Sequence, residues 1–143
     1  MSPSLELDIF EHLHRLTHQF RAQARSALEA AHPELTFNEM RVLMHTGRHP
    51  GLTHKDLIEH SQTDKAQMTR IITSLEAGGW ITRTPSDTDK RARCLHLSLS
   101  GMLLFKQQQK VQAKVAEALL QAWPEALKAS LLEALQLQAD ALN

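Results

Sequence analysis

Two runs of this sequence bring together side chains that recognise phosphates and base edges. The first is Lys65-Ala66-Gln67-Met68-Thr69-Arg70, and the second is Lys90-Arg91-Ala92-Arg93. A glutamine amide can pair with adenine through two hydrogen bonds and an arginine fork with guanine, while an alanine or threonine methyl can rest on a thymine methyl. Lysine and threonine also hold phosphates, which positions a protein on a duplex without reading it. Arginines on a thin hairpin can enter a narrow minor groove, where the potential is more negative. Asp87 and Asp89 stand beside the second run. Carboxylates next to a polyanion need a role: Asp89 is expected to pair with a basic neighbour and orient it, and Asp87 to shape the turn.

These runs need elements to hold them. Apolar residues at Met68, Ile71, Ile72 and Leu75 recur at helical spacing, which leaves Lys65, Ala66, Gln67, Thr69 and Arg70 on the open side of the same helix. Asp64 is a suitable N-cap and Gly78-Gly79 a suitable stop. A short preceding helix is predicted from Thr53 to His60, with Thr53 and Asp56 as its cap. Before that, Thr36-Phe37-Asn38-Glu39 reads as a capping box opening a helix with Phe37, Met40, Leu43 and Met44 buried. Gly47 is expected to stop it, and His49-Pro50-Gly51 to turn. Downstream the period changes. Trp80–Thr84 and Cys94–Ser98 read as the strands of a β-hairpin with a polar tip, placing Leu95, Leu97 and Leu99 on one face. Long helices are predicted over about Ser4–Ala31, Met102–Ala122 and Glu125–Ala141. Helix, short helix, tight turn, helix and hairpin make a winged helix-turn-helix, in a chain that is otherwise mainly α.

Composition narrows the chemistry further. Across 143 residues, 16 Lys and Arg balance 16 Asp and Glu, which excludes a histone-like polycation. Nucleic-acid contact must then come from local charge arrangement. Aromatics are only 4% and tyrosine is absent, which disfavours an aromatic RNA-binding sheet. The single cysteine, Cys94, excludes an intrachain disulfide and a four-thiolate zinc site within one chain. Arg93 beside it is a weak reason to read a redox thiol, and a small residue on a strand is the preferred reading. His14 and His18 stand one helical turn apart, and His45 and His49 repeat that spacing, but no second cluster completes a metal site. No nucleophile motif, glycine-rich phosphate loop or HExxH is present, so no enzyme, metal or cofactor is predicted. No apolar run approaches a membrane span, and the opening Met-Ser-Pro-Ser-Leu-Glu lacks a signal-peptide pattern. The default expectation is therefore a cytoplasmic protein.

The stretch from Leu35 to Phe105 resembles the multiple-antibiotic-resistance regulator (MarR) family. The matching pieces are Leu35–Leu43, Leu52–Leu57, Lys65–Ile72, Leu75–Ile81 and Leu97–Gly101. The most specific is Asp87-Thr88-Asp89-Lys90-Arg91-Ala92-Arg93, similar to the family's Asp-x-Asp-x-Arg wing signature. The resemblance implies a DNA-binding lobe over 35–99, with 1–34 and 100–143 forming a helical dimerisation region. It implies a homodimer on a palindromic double-stranded DNA operator, with recognition helices about 34 Å apart. Arg91 would be the minor-groove arginine and Asp89 its orienting partner. A small-molecule effector would bind between the lobes of a repressor, with His14, Met40 and Met44 among the pocket walls. Two other readings stand beside this one: a metal- or redox-responsive regulator of the same fold, and a winged-helix module that binds protein without reading DNA.

Overall fold

The computed structural model describes residues 4–61, 63–86 and 92–142. Six helices and one two-stranded antiparallel hairpin follow in the order α1 (Leu5–Ala31), α2 (Phe37–Arg48), α3 (His54–Ser61), α4 (Lys65–Ala77), β1 (Ile81–Pro85), β2 (Arg93–Leu97), α5 (Leu99–Leu119) and α6 (Glu125–Ala141). This is a mainly α winged helix-turn-helix with long flanking helices. No helix among the described residues is long and apolar enough to cross a membrane.

Local chemistry explains most of the boundaries. The Ser4 hydroxyl accepts the Leu7 N–H at 2.9 Å and opens α1. Thr36 and Glu39 form a complete capping box at α2. Thr53 and Asp56 make the same reciprocal pair before α3, and Asp64 accepts the Gln67 N–H at 2.8 Å to open α4. Each cap satisfies backbone donors that a helix start leaves unpaired. At the end of α4, Gly78 keeps an ordinary helical conformation, and Gly79 takes the left-handed one at φ 78°.

The core is one apolar cluster. Leu43, Leu57, Met68, Ile72, Leu75, Ile81 and Leu95 are fully buried in it, joining α2, α3, α4 and the hairpin; Leu104 and Phe105 bring in α5. The hairpin root is stitched to the turn before α3. Gly51 N–H donates to the Leu95 carbonyl, Leu95 N–H donates to the Leu52 carbonyl, and Thr53 bridges Cys94. The long helix α1 buries only Ala24 and Leu28 and packs against α5, while α6 buries no side chain at all.

Four expectations change. Gly47 does not stop α2, which continues to Arg48; the missing side chain is where the Phe105 ring sits. Leu99 does not extend the apolar face of β2. It is 88% exposed, because the chain has already turned into α5. That helix starts three residues earlier than predicted: the cap is Ser98, whose hydroxyl accepts the Gly101 N–H at 3.0 Å, and Gly101 lies inside the first turn. Phe37 is only half-buried, with the Arg25 guanidinium 4.9 Å from its ring centroid.

A Cβ at Gly101 would collide with the backbone carbonyl of Trp80, which cannot swing away. Gly101→Ala is therefore expected to cost about 3 kcal/mol of unfolding free energy. Urea denaturation followed by circular dichroism measures this. A loss below about 0.5 kcal/mol, the range of ordinary surface substitutions, would show that α5 can shift to make room.

Candidate nucleic-acid interface

The open side of α4 is built by subtraction. Met68, Ile71, Ile72 and Leu75 go into the core, and the residues between them are left outside. Lys65, Ala66, Thr69 and Arg70 are exposed, and Gln67 is half-buried. The sequence-predicted residues thus lie together on the first two turns. Thr69 is partly committed already: its hydroxyl donates to the Lys65 carbonyl at 2.8 Å and lies 3.4 Å from Nε2 of His54.

His54 is a residue that sequence reasoning passed over. It sits in the first turn of α3, and its ring reaches the start of α4. Its pKa is pushed down by burial first, then by the positive charges of Arg83 and Lys65. The imidazole is accordingly neutral at pH 7, and the cationic character of this face comes from Lys65, Arg70 and Arg83. Arg83 on β1 pairs with Glu76 of α4 at 3.1 Å, which joins the hairpin to the helix. The cap pattern around Thr53 gave α3, but it carried no signal for which way His54 faces.

On the hairpin, Arg93 is exposed and stands opposite Pro85. Cys94 is half-buried, paired with Thr84 across the ladder. The expected wing residues Asp87, Asp89, Lys90 and Arg91 lie outside the described residues.

A cavity of about 400 Å³ opens behind this face, lined from α1, α2, α3, α5 and, through Ile71, α4 itself. Met40 and Met44 are in its wall, together with Leu28, Phe37, Leu57 and Ile71. Its polar lining holds Arg21 and Arg25 from α1, Arg41, His45 and Arg48 from α2, and His60 from α3, besides neutral groups such as Asn38, Gln108 and Gln112, with no aspartate or glutamate among the described residues. His14 is not part of it. The cavity meets only the second half of α1, and His14 stands seven residues before Arg21, about 10 Å further along the axis, where it is exposed. Arg48 donates to Gln112 Oε1 at 3.4 Å, linking α2 to α5. The His45 ring stands 4.8 Å from that of His49 and 5.4 Å from that of His60, and its Nε2 is buried without a hydrogen-bond partner among the described residues. Burial, then His49, His60 and Arg48, push its pKa down.

A second, shallower depression of about 270 Å³ lies where α2 meets α4, lined by Thr36, Glu39, Gln67, Arg70, Ile71 and Ser74. Glu39 is 9% exposed. Its Oε1 accepts the Thr36 N–H at 3.0 Å, and its Oε2 accepts the Ser74 hydroxyl at 2.7 Å. Burial pushes its pKa up, but the hydrogen bonds from Ser74 and Thr36 outweigh that, and the net displacement is downward.

Residues 34–92 match the family model of the MarR family. A protein of Thauera aromatica, to which regulation of the hcr operon has been ascribed, is 29% identical over 77 residues. That match takes in 48% of this chain and 46% of the relative, so the likeness spans about half the length of the curated relative. Among solved structures, FabT of Streptococcus pneumoniae in complex with DNA superposes with a TM-score of 0.75 at 20% identity, covering 96% of each chain. A cysteine-to-serine mutant of MarR from Escherichia coli gives 0.76 at 19% identity, covering 95% of this chain and 96% of that one. At these identities the superpositions establish a shared fold over nearly the whole chain.

The depressed Glu39 pKa fixes a direction for acid sensitivity. A carboxylate with a folded pKa below its unfolded value contributes stability that is present above the unfolded value, about 4.3, and is lost as pH falls through the folded one. The melting temperature is expected to drop as pH is taken from about 5 to 3, and Glu39→Gln to flatten part of that drop. Thermal melts across this range check it, and an unchanged profile in the variant would remove Glu39 from the acid response.

Proposed function

We propose that the chain, whose residues 34–92 match the MarR family model, is a MarR-family transcription regulator, a repressor that binds a palindromic DNA operator as a homodimer. The observation that carries this reading is the capped helix α4, which keeps four side chains in the core and holds Lys65, Ala66, Gln67, Thr69 and Arg70 on its open side beside the hairpin. Gln67 and Arg70 read base edges, Ala66 and Thr69 meet thymine methyls, and Lys65 holds a phosphate. Lys90, Arg91 and Arg93 enter the flanking minor groove, with Asp89 orienting Arg91 and Asp87 shaping the turn.

Residues 1–34 and 100–143 join two copies. Leu5, Ile9 and Phe10 on α1 and Leu127, Leu132 and Leu135 on α6 are exposed in one protomer, and a second copy would bury them. A two-fold axis through these helices sets two α4 helices about one DNA turn apart.

The cavity behind the interface suits a small effector that is anionic with an apolar body. The four arginines, of which Arg25 also pairs with Glu29, meet an anion, and Leu28, Phe37, Met40 and Met44 meet the body. Such a ligand regulates only if it binds the DNA-competent and incompetent shapes with different affinity.

Selection of bound duplexes from a random pool at moderate salt is expected to enrich an inverted repeat with half-sites about one turn apart. Arg91→Ala is expected to weaken binding to that duplex about tenfold and lower its salt dependence. Enrichment of nothing, with only weak salt-sensitive binding, would favour a protein-binding module instead. Sedimentation equilibrium is expected to give a dimer, and Leu132→Asp together with Leu135→Asp a monomer that loses operator binding; a monomeric wild type would end the two-fold reading.

A further inference from the structure

The two oxygens of Glu39 do different work. Oε1 closes the N-terminus of α2 locally, on Thr36. Oε2 reaches 35 residues along the chain to the Ser74 hydroxyl of α4, at 2.7 Å. That is a charge-assisted hydrogen bond of ordinary length between a nearly buried carboxylate and an exposed serine. Ser74 follows Gln67 and Arg70 at seven and four residues, so the three share one stripe of α4, and they surround the same depression as Glu39.

The apolar contacts of α4 do not fix this stripe by themselves. Met68, Ile72 and Leu75 set its depth in the core, but apolar burial is non-directional. A hydrogen bond has a preferred line and loses strength off it. A helix with side chains is about 10–12 Å across, so turning it by about 15° moves a side-chain tip by about 1.5 Å. That displacement breaks a two-bond pairing with a base edge, whose donor–acceptor distances tolerate only a few tenths of an ångström.

We propose that Glu39 is a positioning residue for base recognition: through Ser74 it fixes the rotation of α4 about its own axis and so aims Gln67 and Arg70. Glu39 acts through Ser74 and touches no base. It also stands between Asn38 and Met40, both in the wall of the large cavity. The inference rests on reading α4 as the helix that meets base edges.

The test uses the duplex selected by the wild-type protein and a scrambled duplex of equal length, with affinities of both measured by fluorescence anisotropy at fixed salt. Ser74→Ala is expected to bind the selected duplex about tenfold more weakly and the scrambled one within about twofold of wild type. Ser74→Thr, which keeps the hydroxyl, is expected to restore most of the difference. Glu39→Gln keeps the Thr36 cap through its amide oxygen and offers Ser74 only a neutral partner; its expected loss is intermediate. Equal loss on both duplexes, or a lowered melting temperature with discrimination intact, would make the contact merely structural and overturn the proposal. A wild-type protein that selects no sequence would overturn the base-reading role of α4, and this proposal with it.

Discussion

The candidate interface depends on how little of α4 is buried. Four side chains, Met68, Ile71, Ile72 and Leu75, anchor a helix of 13 residues, and everything else on it is left for other duties. Such a narrow apolar stripe fixes where the helix lies but not finely how it is turned. The remaining constraints are polar and come from three directions: Asp64 at its start, Glu39 across the junction with α2, and Arg83 from the hairpin to Glu76. His54 adds a contact near Thr69 at the leading end. The helix is thus held by directional bonds around its rim while its outer strip stays unencumbered, the arrangement that preorganised recognition asks for.

A chain with equal numbers of acidic and basic residues still carries a strongly uneven charge distribution. The cavity behind α4 gathers four arginines and two histidines. Two of these arginines are partly neutralised or covered nearby: Arg25 pairs with Glu29 at 3.1 Å and lies over the Phe37 ring, and Arg48 donates to Gln112. Burial first, and then its cationic neighbours, push the His45 pKa down.

Most of the fold was legible in the residues because its signals are local. Thr36 with Glu39, Thr53 with Asp56, and Asp64 are caps whose meaning depends on three or four neighbours, and each sits where it was read. Two of the departures come from long-range contact and one from a local cap. Gly47 reads as a stop until the Phe105 ring is placed against it; Gly101 reads as a boundary until Trp80 is. Leu99 fits an alternating strand until Ser98 starts a helix one residue earlier. The same limit holds at the site. Helical spacing put Lys65 to Arg70 on one open side of α4, and Met40 and Met44, expected as pocket walls from the family resemblance, line the cavity. His14, expected beside them, lies outside the lining of this cavity, which meets only the second half of α1. His54 and the second oxygen of Glu39 left no trace in the pattern, since both act across elements.

The bareness of α6 has a thermodynamic side. Seventeen residues form this helix with no buried side chain and no side-chain hydrogen bond at its cap. Helix nucleation is costly, and in proteins most of a helix's stability comes from packing an apolar face rather than from propensity. Whatever shields its leucines must therefore supply most of the free energy that keeps it wound. If the shield is another copy of the chain, winding becomes a second-order event. The fraction of ordered α6 would then rise with the total amount of protein, so that abundance itself, through mass action, acts as an input to the molecule's shape.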